Sequence, residues 1–133
     1  MLTEPLLKDL ADRCNIVEEC YEYMLAYAGQ GVSGEENSGA QIRDFLTRAA
    51  AALAGLSGAY GEAVERENLQ PAERYRAFLK VLARDAEDSL AAVELVLGQS
   101  RISSQLIDNL NASIHLRAVL TDLFLLDEIL KMR

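Results

Sequence analysis

Apolar residues recur at i, i+3, i+4 and i+7 over four long stretches of this chain, and no run alternates with the period of two that a strand requires. That periodicity confines the chain to packed helices. The first stretch carries Leu6, Leu7, Leu10, Cys14, Val17, Tyr21, Met24, Leu25 and Ala28. The second carries Ile42, Phe45, Leu46, Ala49, Leu53, Leu56, Tyr60 and Val64, and the third Tyr75, Phe78, Leu79, Leu82, Ala86, Leu90, Val93 and Leu97. In the fourth, Leu116, Val119, Leu120, Leu123, Phe124, Leu126 and Leu130 cover more than half the helical circumference.

Start and stop signals divide the chain into helices over about 4–28, 39–67, 71–97 and 102–131. Thr3 is the N-cap expected for the first, and Ser38 with Gln41 makes a capping-box pattern for the second. Asn68-Leu69-Gln70-Pro71 ends that helix, and Pro71 suits the first turn of the next. The third stops at Gly98, and the fourth opens between Ser100 and Ser103. The segment GQGVSGEENSG leaves a mobile loop at 29–38. Four amphipathic helices with two short connections and one longer one predict an all-α, four-helix antiparallel bundle of up-down-up-down topology, a single domain spanning 1–133.

Composition narrows the function classes. With 21 acidic and 13 basic residues the net charge is −8, which repels phosphate backbones and anionic lipid surfaces, so no nucleic acid and no membrane is expected as a partner. The start MLTEPLLKDLADR lacks an apolar signal core. The longest uncharged run, between Arg48 and Glu62, is too short to span a bilayer. A soluble, cytoplasmic protein is the expectation. Cys14 and Cys20 lie about 240° apart on a helix at roughly 100° per residue, which excludes a disulfide between them. They match no zinc spacing, so one core thiol and one contact thiol are expected.

Motifs with chemical content are few. Gly29, Gly31 and Gly34 spell G-x-G-x-x-G, but a helix precedes them and Glu35 and Glu36 stand where a phosphate would bind. Glu18, Glu19 and Glu22 form E-E-x-x-E, which resembles the first half of the metal motif of all-α nucleotide pyrophosphohydrolases. That resemblance implies a Mg²⁺-dependent hydrolase in which Glu18 and Glu22 share a site with Asp85 and Asp88, although the latter spell D-x-x-D where the family pattern has E-x-x-D. Di-iron chemistry is excluded by a single histidine. That residue, His115, lies in HLRAV, whose basic residue and Val119 sit wrongly for a phosphotransfer histidine; it falls with Asp108, Asn111 and Asp122 on what reads as a solvated stripe. Tyr60, Tyr75 and Phe124 are expected to meet near residues 68–71, where a cavity could take a small ligand.

The stretch AAAALAGLSGAYG, 49–61, has three glycines inside an expected helix, a cost of about 2 kcal/mol relative to alanine. Ala51, Ala54, Gly55 and Gly58 fall on its outer side, a small-residue strip that lets another backbone approach closely; the competing explanation is a kink near Gly58. A second apolar stripe on the first helix, Ile16, Cys20, Tyr23 and Tyr27, lies off the expected core face. These outer apolar faces predict an oligomeric protein, a homodimer or a complex with a helical partner. The function they predict is a non-enzymatic interaction module (adaptor, small chaperone or regulatory subunit) without cofactors, with Tyr23 and Tyr27 as anchors. The metal-dependent hydrolase and the small-ligand binder are the alternatives.

Overall fold

The computed structural model describes residues 4–31, 33 and 38–132. Among them there is no strand, and the fold is all-helical. Six helices follow in order: α1 (Glu4–Ala28), α2 (Ser38–Leu53), α3 (Leu56–Glu67), α4 (Ala72–Leu97), α5 (Ser104–Ala112) and α6 (His115–Lys131). No helix of the described chain is long and apolar enough to cross a membrane. The expected cap Thr3 and half of the expected loop, Val32 and residues 34–37, lie outside the described residues; Gly34 of the glycine pattern is among them.

Two of the expected helices are each a pair. The second breaks at Gly55, which adopts φ +76°, a left-handed conformation that glycine takes without a Cβ penalty. The break frees carbonyls at the end of α2, and Arg13 of α1 supplies the donors: its guanidinium bonds Ala52 O at 3.0 Å and Ala54 O at 2.6 Å. Side-chain donors of this kind satisfy helix-end carbonyls that the break would otherwise orphan. The fourth expected helix breaks at Ile114, also left-handed at φ +62°. Ser113 bonds back to the last turn of α5 there, its hydroxyl and its N–H both reaching Leu110 O. The other boundaries follow the signals read above. Ser103 caps α5 by accepting from Leu106 N–H at 3.1 Å, and α4 starts after Pro71 and stops at Gly98.

The buried faces follow a regular 3–4 spacing. On α1 the seam is Leu6, Leu10, Arg13, Val17, Cys20, Met24 and Tyr27, of which all but Arg13 are buried apolar residues. On α2 and α3 it is Ile42, Leu46, Ala49, Leu53, Leu56, Tyr60 and Ala63, in step on both sides of the break. On α4 it is Leu82, Ala86, Ser89, Val93 and Val96. A seam alternating by three and four residues is what helices packed at a shallow angle require. Arg13 therefore occupies a core position of α1 and spends its charge on the break.

Neighbours follow from these faces. α1 packs chiefly on α2 and α5, and also on α3 and α6. α4 packs on α2, α3 and α6, with no substantial packing between α1 and α4. Arg48 pairs with Glu19 at 3.6 Å and Tyr23 donates to Gln41 at 3.2 Å, so numbers fall on α2 as they rise on α1 and the two run antiparallel. Arg43 reaches Leu97 O at 3.1 Å, and also bonds Gln99 O, tying α2 to the end of α4. Arg76 meets Glu65 at 3.3 Å and Gly61 lies beside Leu79, so α3 and α4 are antiparallel as well.

Candidate functional site

The second stripe of α1 is inward, contrary to the sequence expectation. Cys20 and Tyr27 are fully buried, and the Tyr27 hydroxyl donates to Ile102 O just before α5. Tyr23 stacks on Phe45 of α2 with ring centroids 4.3 Å apart, and Arg48 lies over the same Phe45 ring. Ile16 is half-buried in a shallow dent with Ala51, Ala52 and Arg48. The physical reason is phase: with the seam running 6, 10, 13, 17, 20, 24 and 27, Leu7 and Leu25 turn outward while Cys20 and Tyr27 turn in. Tyr27 and Cys20 are thus core residues and cannot anchor a partner. The two thiols exchange the roles expected of them. Burial pushes the Cys20 thiol up to about 12, while Cys14 is the half-exposed one.

The small-residue strip is also reassigned. Ala51, Ala54, Gly55 and Gly58 are exposed, but they straddle the α2–α3 break and do not form one continuous helical surface. Gly55 is explained by its backbone conformation, and at Gly58 an added Cβ would meet nothing within 4 Å. The helix is interrupted three residues before Gly58.

The carboxylates of the E-E-x-x-E resemblance do not assemble. Glu18 and Glu22 lie on α1, Asp85 and Asp88 on α4, and those helices do not pack substantially on one another. Among the described residues no group of three or more His, Cys, Asp or Glu side chains is arranged to hold a metal ion. Asp85 instead lies beside Asp122 of α6, near enough for its carboxyl to raise that of Asp122. Asp122 was expected on a solvated stripe, yet it is only 8% exposed and its Oδ2 has no partner. Burial and the neighbouring Asp85 carboxyl push the Asp122 carboxyl up to about 7. Nothing in the sequence marked this pair, because the two aspartates are brought together by the packing of α4 on α6.

The three aromatic pocket candidates separate. Phe124 faces outward at 49% exposure, Tyr75 is half-buried near the start of α4, and Tyr60 is buried. Phe124 turns away because the buried face of α6 is Leu116, Val119, Leu120, Asp122, Leu123 and Leu126, with 124 about 100° past 123. Tyr60 lines a groove of about 790 Å³ between α1, α3 and α6. Its apolar wall consists of Leu7, Leu10, Ala11 and Cys14 from one face of α1, Tyr60 from α3 and Leu130 from α6. Asn15, Glu67, Asp127 and Lys131 form its polar margin. α3 and α6 both pack on α1 but not substantially on each other, which leaves the groove open between them.

The electrostatics of the groove are acidic. Burial raises the Cys14 thiol, with Glu18 and then Asp127 adding to the effect, and burial followed by Cys14 and Asp127 brings the Tyr60 phenol up to about 12. Lys131 on the margin pairs with Asp127 at 3.2 Å. Sequence reasoning missed this site as a unit. Its signal was present in Leu7, which follows the helical period yet is 48% exposed. Compared with protein-family models, with curated proteins and with solved structures, the chain matches none.

Proposed function

We propose that this protein is a non-enzymatic interaction module that captures a helical segment of a partner in the α1/α3/α6 groove. The contacts support reading the six helices as four rods, α1, α2–α3, α4 and α5–α6, in an up-down-up-down bundle. The observation that carries the proposal is the groove itself: an apolar face of α1 with Leu7 half in solvent, flanked by two helices that do not close over it. Its wall on α1 runs from Leu7 to Asn15, about 12 Å at 1.5 Å per residue. A helix about 10 Å across and 12 Å long occupies roughly 900 Å³. The groove volume of about 790 Å³ is of that order, which suits a helix of two to three turns sunk into the surface.

Cys14 provides the test, since it lies in the groove whereas Cys20 is buried. A peptide forming an amphipathic helix should slow alkylation of Cys14 in a saturable manner. Alkylation unaffected at saturating concentrations of every such peptide would remove the proposal. Self-association remains the competing arrangement, but burial of Cys20 and Tyr27 takes two of the expected contact residues out of any such interface. A homodimer that buries Leu7 would show as a doubled mass in solution, with Cys14 protected without added peptide.

A further inference from the structure

The outer face of α6 carries apolar surface that neither the core nor the groove uses. Of the seven large apolar side chains exposed among the described residues, four lie here: Ile114, Phe124, Leu125 and Met132. At about 100° per residue they form one stripe with Arg117, Thr121 and Glu128, turned away from the buried Leu116, Leu123 and Leu126. The stripe is about 27 Å long at 1.5 Å per residue. Asp127, Leu130 and Lys131, which α6 contributes to the groove, are not part of it.

This stripe is complementary to itself in charge and in shape. Arg117 stands six residues before Leu123 and Glu128 five residues after it, while Ile114 and Met132 stand nine to either side. Arg117 and Glu128 are about 16 Å apart along the helix, and among the described residues neither side chain belongs to an ion pair. A shallow cleft of about 310 Å³ at Ile114, Arg117, Ala118 and Thr121 indents the first half of the stripe. The second half presents the exposed Phe124, Leu125 and Met132.

We infer that a second copy of this chain docks on this face, α6 against α6 in antiparallel, to form a twofold dimer. An axis at Leu123 sets each Arg117 against the partner's Glu128 and each Leu125 over the partner's cleft, so every contact is made twice. A parallel pairing would instead put Arg117 beside Arg117 and leave both clefts unfilled. The net charge of −8 opposes association at long range, but at physiological salt the Debye length is about 8 Å and the charges lining the contact decide. A strip about 10 Å wide covers far less than the roughly 800 Å² per partner of a standard interface, so the dimer is reversible, with a Kd on the order of 10–100 μM. It does not depend on the groove reading and leaves the groove open.

Sedimentation equilibrium from about 1 to 500 μM tests it, on the wild type, Arg117→Glu, Glu128→Arg and the double exchange. Both side chains are exposed, and circular dichroism checks that helicity is unchanged. The wild type should pass from one chain mass to two. Either single reversal sets like charges together twice and should weaken the dimer at least fivefold, whereas the double exchange should restore its Kd to within about twofold. Cys14 should be alkylated equally fast in monomer and dimer, since the groove stays open. A single chain mass at every concentration would overturn the inference, as would a dimer indifferent to the reversals or not rescued by the exchange. Protection of Cys14 in the dimer would overturn it too, by placing the contact at the groove.

Discussion

Replacing Asp122 by Asn should change how stability depends on pH, and the structure gives the sign and a bound on the size. Asp122 of α6 is buried beside Asp85 of α4, and its carboxyl is pushed up to about 7 from an ordinary value of 3.8. A folded-state value above the unfolded one means that the native state holds a proton the unfolded chain has already lost. The stability contributed by this proton is therefore complete below pH 3.8 and is lost as pH rises through about 7. Three pKa units correspond to about 4 kcal/mol at 1.36 kcal/mol per unit, which is an upper bound. Between pH 5.5 and 8.5 only about 1.5 of those units are sampled, about 2 kcal/mol at most, and a shallow cleft lined by Ile114, Arg117, Ala118 and Thr121 lets solvent screen the pair, so about 1 kcal/mol is the expected loss over that range. Urea titrations at pH 5.5, 7 and 8.5, on wild type and Asp122→Asn, isolate the effect above the range where ordinary carboxylates titrate. The wild type should lose that amount between the lowest and highest pH, and Asp122→Asn, whose amide can donate to a charged Asp85, should lose much less. Parallel pH profiles for the two proteins would refute this account.

Other substitutions separate the roles assigned above. Gly55→Ala should destabilise by about 1 kcal/mol because φ +76° is strained for alanine, whereas Gly58→Ala, helical and open on its outer side, should stabilise by about 0.5 kcal/mol; thermal melts of the two read the difference. Tyr27→Phe should cost about 1–2 kcal/mol in chemical denaturation by leaving the buried Ile102 carbonyl without its donor. With an alkylating reagent at pH 8, Cys14 should react in the native protein and Cys20 only after unfolding, as mass spectrometry of quenched samples will show.

Much of the fold was legible in the sequence because the 3.6-residue period is strong in every stretch, and signals at Ser103, Pro71 and Gly98 mark real boundaries. The breaks were harder to see. Gly55 shares its stretch with Gly58 and Gly61, so the sequence allowed a kink without fixing which glycine makes it, and Ile114 is a β-branched residue in a conformation it rarely adopts, held by bonds that Ser113 makes to the preceding turn. Arg13 was the available clue, a charge at a seam position of α1 that calls for acceptors on a neighbouring helix. The helical phase of α1 was misjudged because Leu7 and Leu25 fit the period as well as Cys20 and Tyr27 do, and only the neighbours α2 and α5 decide which pair goes inside. Of the candidate site, Tyr60 was legible. Its companions on α1 and α6 were not, because they meet it through tertiary packing that no local spacing encodes.

The central claim is that the α1/α3/α6 groove is where a partner helix binds, and amide chemical-shift mapping of the labelled protein with an amphipathic helical peptide tests it most directly. The account predicts saturable shifts concentrated at Leu7 to Asn15, Tyr60 to Glu67 and Asp127 to Lys131, with α4 and the outer side of α2 unmoved. Shifts centred on any other face, or scattered over the acidic surface without saturation, would contradict it.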